Sequence, residues 1–215
     1  MQYIVVIDYN MGNLHSVSKA LERVAEPEGF RVKVSNDRGV ISRASAIVFP
    51  GVGAFGKGME NLKSFGLADV LKERVKERVP FLGICLGLQL LFTESEEHGS
   101  FKGLDILAGE VIGFSKGVKV PHMGWNRVEH IEEEEINKGS GLFRNILDRD
   151  YFYFVHSYFV LPDDKDIIIA KVDYGNSIAA AVNKDNIYGV QFHPEKSGDS
   201  GIALFSNFVE IVKGG

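Results

Sequence analysis

Apolar residues recur along this chain in two rhythms, and the rhythm changes near the middle. In the first half, short apolar runs alternate with stripes of helical spacing. Residues 3–8 read as a buried strand. Residues 13–25 place Leu14, Val17, Ala20, Leu21 and Val24 on one helical face. Residues 31–34 form a short strand, and 46–49 a buried one that Pro50-Gly51 stops. Residues 67–79 read as a helix with Leu67, Val70, Leu71 and Val75 on one side. A strand over 81–85 and a helix over 86–92 follow. Strands alternating with helices predict a parallel sheet covered on both faces.

In the second half strand signals crowd together, at 109–114, 118–120, 125–129, 151–160, 167–172, 178–183 and 187–191. Their short, turn-rich spacing predicts antiparallel pairing. A last helix covers about 200–212. The pattern predicts an α/β fold: a mostly parallel central sheet flanked by helices, with an added antiparallel region in the C-terminal half. One mixed-sheet domain over residues 1–215 is expected. Glu129 to Glu135 holds five glutamates in seven residues and reads as a solvated surface turn.

Composition narrows the picture by exclusion. The chain has 215 residues, 45% hydrophobic and 25% charged, which excludes disorder and collagen-like or coiled-coil rods. A net charge of −5 argues against a nucleic-acid coat. The run at residues 3–7 is too short for a signal peptide, and Asp8 ends it. No segment approaches the roughly 20 apolar residues of a membrane helix. Cys85 is the only cysteine, so no internal disulfide and no cysteine-rich zinc site can form. A soluble cytoplasmic protein is expected, with one thiol whose purpose the motifs must supply.

One motif is a decoy. Gly51-Val52-Gly53-Ala54-Phe55-Gly56-Lys57-Gly58 fits both common glycine-rich phosphate patterns in part. Gly58 stands where a Ser or Thr must reach Mg²⁺. The dinucleotide fingerprint belongs after the first strand of its unit, and this run follows about the third. A nucleotide-binding switch is therefore the weaker reading. A loop of bare backbone amides, able to stabilise an oxyanion, is the better one.

The stronger motif surrounds the thiol. Gly83-Ile84-Cys85-Leu86-Gly87 lies between an apolar strand and an apolar helix. It matches the nucleophile elbow, in which glycines two residues to each side avoid collision at a strained turn. A helix N-terminus favours the thiolate. The Leu86 amide can face the reacting oxygen, and Gln89 lies one turn further on. The competing interpretation is a small hydrophobe packed in a core. A thiolate needs a base, and there are six histidines. In Gln191-Phe192-His193-Pro194-Glu195, residues two apart in extended chain point to one side, so Glu195 can orient His193. His156 is the competitor, read more simply as a strand histidine with a local hydrogen bond. His15 and His130 read as surface residues.

Gly83 to Gln89 with His193-Pro194-Glu195 resembles the class I, triad-type glutamine amidotransferases, and the resemblance covers essentially the whole chain. The Cys85-to-His193 separation of 108 residues also suits that family. Local stretches narrow it: Asp8 to Leu14, Pro50 to Phe55, Pro121-His122-Met123-Gly124-Trp125-Asn126, and Tyr153 to Tyr158. These look like the branch whose glutaminase subunit serves histidine biosynthesis. The resemblance implies Cys85 as nucleophile, His193 as acid and base, and Glu195 as its holder. It implies oxyanion donors at Leu86 and in the loop of Gly51, Val52 and Gly53. It places L-glutamine against Gly53, Gln89, Glu97, Ser157 and Tyr158, with Glu96 the neighbouring alternative to Glu97. No metal or cofactor is implied.

Free ammonia is protonated at neutral pH and is then no nucleophile, so it must be handed directly to a partner. The resemblance implies a heterodimer with a (β/α)₈-barrel cyclase subunit. Met11, Asn13, Met123, Trp125, Tyr153 and Lys196 match positions near that interface. A loop tryptophan is a plausible anchor, ordinary core packing being the alternative. The same chemistry in vitamin B6 or anthranilate synthesis is a further alternative, against which the Pro121–Asn126 stretch argues. Asn10 stands where the family often has Gly, and Leu88 where Met is common. Asn tolerates a left-handed turn, and Leu for Met conserves volume.

Overall fold

The computed structural model describes residues 2–131 and 141–214. The first half contains β1 (Tyr3–Ile7), α1 (Leu14–Ala25), β2 (Arg31–Ser35), α2 (Arg38–Ile41), β3 (Ala46–Gly51), α3 (Phe55–Ser64), α4 (Leu67–Lys76), β4 (Phe81–Cys85) and α5 (Leu86–Gln89). The second half contains β5 (Phe92–Ser95), β6 (Phe101–Lys102), β7 (Leu107–Gly113), β8 (His122–Arg127), β9 (Glu129–His130), β10 (Tyr151–His156), β11 (Tyr158–Pro162), β12 (Ile168–Asp173), β13 (Ser177–Lys184), β14 (Ile187–Val190) and α6 (Gly198–Gly214).

The main sheet runs β2-β1-β3-β4-β14-β13-β12-β9. From β2 to β14 every pairing is parallel. From β14 to β9 every pairing is antiparallel. Alternation along β1 sends Ile4 and Val6 to one face and Val5 and Ile7 to the other, so the sheet carries two cores. On the first face Val17 and Leu21 of α1 pack with Leu204, Phe205 and Phe208 of α6. On the second, Phe55, Met59 and Leu62 of α3 pack with Leu67, Val70 and Leu71 of α4. No helix among the described residues is long and apolar enough to cross a membrane.

Two small sheets stand beside this layer, β10-β8 and β11-β7-β5-β6. The expected antiparallel region is thus shared between the far half of the main sheet and two small sheets beside it. The expected strand over 151–160 breaks at Ser157, and its halves join different sheets. The 118–120 segment is a turn around Gly117 at φ +113°, not a strand. The expected helix over 86–92 ends at Gln89, because Phe92 begins a strand paired with β7. Residues 56–58 lie in α3, not in a loop. The stripe Phe55, Met59, Leu62 was hidden by two intervening glycines. β3 does not stop before Pro50 but runs on to Gly51 beside β4. Its pairing with β1 ends at Val48, so the missing proline donor faces no full ladder on that side. His130 is half-buried against Phe143, not on the surface. Of the glutamate run, Glu129 lies in β9; residues 132–135 fall outside the described residues.

Candidate active site

Parallel strands end on the same side of a sheet, and ligands gather beyond their carboxyl ends. Here three adjacent strands deliver three parts of one site. β4 ends on Cys85. β3, paired with it through Gly51 and Cys85, continues into the loop of Gly51, Val52 and Gly53. β14, paired through Val190 and Ile84, continues into Gln191 and His193.

Cys85 stands at φ +53° between β4 and α5, a conformation that L residues rarely hold. The glycines around it are sterically required. A Cβ on Gly87 would come within 1.7 Å of the Phe49 carbonyl oxygen, and one on Gly83 within 2.9 Å of the Leu88 Cα. A Cβ on Gly51 would lie 2.0 Å from the Tyr9 hydroxyl. The expected strained elbow is present. The helix that follows is a single short turn, so its dipole contributes little to holding a thiolate.

Behind the thiol, His193 Nδ1 lies 2.8 Å from Glu195 Oε1, both side chains being only 2% exposed. The pair does not arise from extended chain, as the spacing argument assumed. Residues Pro194–Lys196 form a 3₁₀ turn that swings Glu195 back onto the ring. Ser197 Oγ clamps the His193 carbonyl at 2.7 Å. Burial alone would lower the basicity of His193. The negative charge of the Cys85 thiolate, with that of Glu195, overcomes it and raises the imidazole to about 10. His193 Nε2 has no hydrogen-bond partner among the described residues. With Cys85 beside it raising the imidazole, a buried imidazolium N–H on the side of the sulfur is placed to donate a proton to a leaving group.

In front of the thiol is a cavity of about 280 Å³. Gly53, Gln89, Glu97, Ser157 and Tyr158 all line it, with Cys85, Leu86, Val52 and His156. Glu97, not Glu96, faces it. Glu96 instead accepts the Gly113 N–H at 2.7 Å. Glu97 Oε2 accepts the Phe55 N–H at 2.6 Å, which ties the start of α3 to the cavity wall. The loop is held from below as well. Gly53 is at φ +121°, and Met11 Cε occupies the space a Cβ there would enter. The Tyr9 hydroxyl is fully buried under Gly51, with no partner among the described residues. Burial, and then the charge of Cys85, push its ionisation well up. Tyr9 lies in the Asp8 to Leu14 stretch, but nothing in that motif assigns it a place under the 51–53 loop. Lys57 of the glycine-rich run points outward on α3 and pairs with Glu60 at 2.9 Å. It does not cradle a phosphate.

A polar chain runs through the wall of this cavity. The Tyr158 carbonyl can only accept, so His156 Nδ1, 2.9 Å away, carries a hydrogen. His156 Nε2 is then a lone pair and accepts from His122 Nδ1 at 3.0 Å. His122 Nε2 accepts from Asn126 Nδ2 at 3.3 Å, and Asn126 also donates to the Asp173 carbonyl at 2.9 Å. His122 stacks between Phe154 and Tyr174. Burial lowers His122 to about 4. Burial, only partly opposed by the Tyr158 carbonyl, lowers His156 to about 3. His156 is too weakly basic to serve as general base, and its one lone pair is already taken by His122; His193, with its carboxylate, is the base the geometry offers. His122 and Gln191 are additions to the residues that the motifs single out. For Gln191 the signal was available: it is two residues from His193 on the same strand end.

Comparison with known proteins places this arrangement. The sequence profile of the glutamine amidotransferase class-I family matches residues 5–212. The chain belongs to this family. Among curated proteins, one named imidazole glycerol phosphate synthase subunit HisH from Aquifex aeolicus is 51% identical over 95% of this chain and 94% of its own length. Its namesake from Moorella thermoacetica is 46% identical over 99% and 97%. That from Methanocaldococcus jannaschii is 47% identical over 97% and 100%. A solved glutamine amidotransferase superposes with a TM-score of 0.73 at 18% identity, covering 97% of this chain and 98% of its own. It confirms the amidotransferase fold.

Four of the six residues expected near a partner interface, Met123, Trp125, Tyr153 and Lys196, lie together on the β8-β10 pair and the turn after His193. In the β8-β10 pair, Trp125 lies opposite Tyr153 and Met123 opposite Val155. Trp125 and Tyr153 meet edge to face at 6.1 Å, and Lys196 Nζ sits 5.5 Å from the Tyr153 ring. Met123 is 62% and Trp125 54% exposed, so ordinary core packing does not describe them. Met11 touches the 51–53 loop. Asn13 is used locally: its side chain accepts from Ser16 N and caps α1. Asn10 is at φ +61°, the left-handed turn expected of it, and its N–H donates to Asp8.

Proposed function

We propose that this chain is the glutaminase subunit of an imidazole glycerol phosphate synthase, folded as one amidotransferase domain over residues 1–215. It hydrolyses L-glutamine to glutamate and hands ammonia to a cyclase subunit, a (β/α)₈ barrel. The reading is carried by one observation: Cys85, strained at the cavity wall, has the buried His193–Glu195 pair behind it. The relatives named above supply the pathway, and a lone thiol that must stay reduced fits the cytoplasm.

The substrate ammonium sits on the Glu97 oxygen that Phe55 leaves unused. Gly53, Gln89, Ser157 and Tyr158 hold the rest. The Cys85 thiolate attacks the side-chain amide carbon. The amides of Leu86 and of the Gly51, Val52 and Gly53 loop hold the oxyanion. The His193 imidazolium protonates the leaving nitrogen, the C–N bond breaks, and a thioester forms. Neutral His193 then takes a proton from water as it attacks the thioester, and the thiolate leaves. Glu195 holds the ring in position through both halves. Ammonia stays unprotonated only while water is kept from it, so a partner must seal the mouth. The exposed face of Met123, Trp125, Tyr153 and Lys196 is where it docks, with Met11 and Asn13 alongside.

The test is glutamate release in the presence of the cyclase subunit. Cys85→Ala should lower it by roughly 10³-fold or more. Undiminished release overturns the assignment of the nucleophile. The chain alone should be far slower than the complex. Equal rates with and without partner would overturn the docking half of the reading.

A further inference from the structure

Gln191 is fully buried and its side chain lies against the reactive sulfur. Its orientation is not arbitrary. The Tyr158 carbonyl can only accept, so the Gln89 side-chain atom 2.8 Å from it is the nitrogen, Nε2. The same nitrogen lies 3.1 Å from a Gln191 side-chain atom, which must therefore be the oxygen, Oε1. The remaining Gln191 atom is the amide nitrogen, and it lies 3.7 Å from Cys85 Sγ. The backbone leaves no slack, since the Gln191 N–H is fixed on the Ala180 carbonyl at 2.8 Å. The chain of donors thus runs one way, and it ends with an N–H directed at sulfur.

We propose that Gln191 is a further catalytic residue, whose side-chain N–H donates to Cys85 Sγ and stabilises the thiolate. The inference rests on the assignment of Cys85 as nucleophile. Its physical need is specific. The Val155 carbonyl lies 4.0 Å from Sγ and can accept the thiol proton. Once that proton is lost, the carbonyl presents a lone pair to a buried negative sulfur. A donor that does not titrate is then required, and an amide supplies one at every pH. Gln89 acquires a second duty, because it holds the Gln191 amide from flipping its oxygen onto the thiolate. The titratable groups around the site are His193 and Glu195 behind the sulfur, Tyr9 under the loop, and His156 and Glu97 in the cavity.

The experiment is the pH dependence of Cys85 alkylation by iodoacetamide in the intact complex, with Cys85→Ala as the blank. The midpoint belongs to the Cys85–His193 pair. Gln191→Met keeps the volume and removes the donor; Gln191→Glu keeps the shape and replaces it with a carboxylate. The midpoint should rise in the order wild type, Met, Glu, by about one unit for Met, and glutaminase kcat/KM should fall about tenfold with it. A packing defect alone would not produce that order. Midpoints equal to wild type in both variants, or lower, overturn the proposal. If the Met variant does not fold, wild type against Glu decides on the same criterion. Failure of the nucleophile assignment looks different: Cys85→Ala would retain glutaminase activity.

Discussion

Three glycines allow a cysteine to stand in left-handed backbone between a strand and a helix turn. A non-glycine residue held there costs of order 1–3 kcal/mol, and the packing around it must supply the compensation. Gly87 is the least replaceable of the three, because the atom it would strike is the Phe49 carbonyl in the neighbouring strand β3. A backbone atom inside a parallel sheet has nowhere to move. Gly87→Ala should therefore destabilise the chain by about 3 kcal/mol, the upper end for overpacking, and displace the thiol. Thermal unfolding measures the first effect and Cys85 alkylation the second. An alanine variant with the wild-type midpoint would show that the elbow is looser than its geometry. This part of the site was legible in the sequence because its demand is local: a glycine two residues to each side is a steric requirement of the turn itself. The place of Gln191 beside His193 was legible, but its work was not. It depends on Gln89, 102 residues away, and on a carbonyl contributed by a third segment.

At the level of elements, the break at Ser157 does more than the strands it separates. The run over 151–160 is rich in aromatic and β-branched residues and holds no Gly or Pro, so the sequence reads as one strand. Only the existence of two sheets makes the chain leave one at His156 and enter the other at Tyr158. The turn between them exposes Ser157 and Tyr158 to the cavity and leaves the Tyr158 carbonyl free for His156 and Gln89. The inner parallel strands were more legible, since β1, β3 and β4 are covered on both faces and read as unbroken apolar runs. The buried pair His122–His156 that pins this corner makes stability depend on pH. Both histidines have native values below the unfolded 6.5, about 4 and about 3. Below pH 6.5 the unfolded chain therefore binds protons that the native chain refuses, and stability falls as pH drops toward 4. Each residue contributes up to about 1.4 kcal/mol per pH unit. Burial lowers His130 as well, so the pair must be isolated by difference. Urea unfolding at pH 7, 6 and 5 should show a shallower fall for a His122→Phe/His156→Leu double variant than for wild type, whatever its stability at pH 7. Equal slopes would mean that the pair is already charged in the native state.

For the molecule as a whole, the main sheet carries the proposed chemistry and the β8-β10 ribbon carries the proposed docking face. The two meet at one corner: His193 N–H donates to the Tyr153 carbonyl at 2.8 Å, and Tyr153 N–H donates to Ser197 Oγ at 3.0 Å. The strand that presents Tyr153 outward is thus tied by its backbone to the catalytic histidine. Trp125 stands over Tyr153 with more than half its surface exposed, an arrangement that costs solubility and has no use in the free chain. If the proposed docking holds, burial against the partner makes it the kind of aromatic anchor whose truncation costs about 2 kcal/mol or more. Trp125→Ala should therefore weaken the complex by roughly 30-fold or more while changing the unfolding free energy of the free chain by less than about 0.5 kcal/mol. Titrating the cyclase subunit against glutaminase activity separates the two effects. The half-saturating concentration should rise, and the rate at saturating partner should approach that of wild type if Trp125 only docks. A rate that stays low at saturation would place Trp125 in setting His193 through Tyr153. An unchanged half-saturation would move the docking face elsewhere.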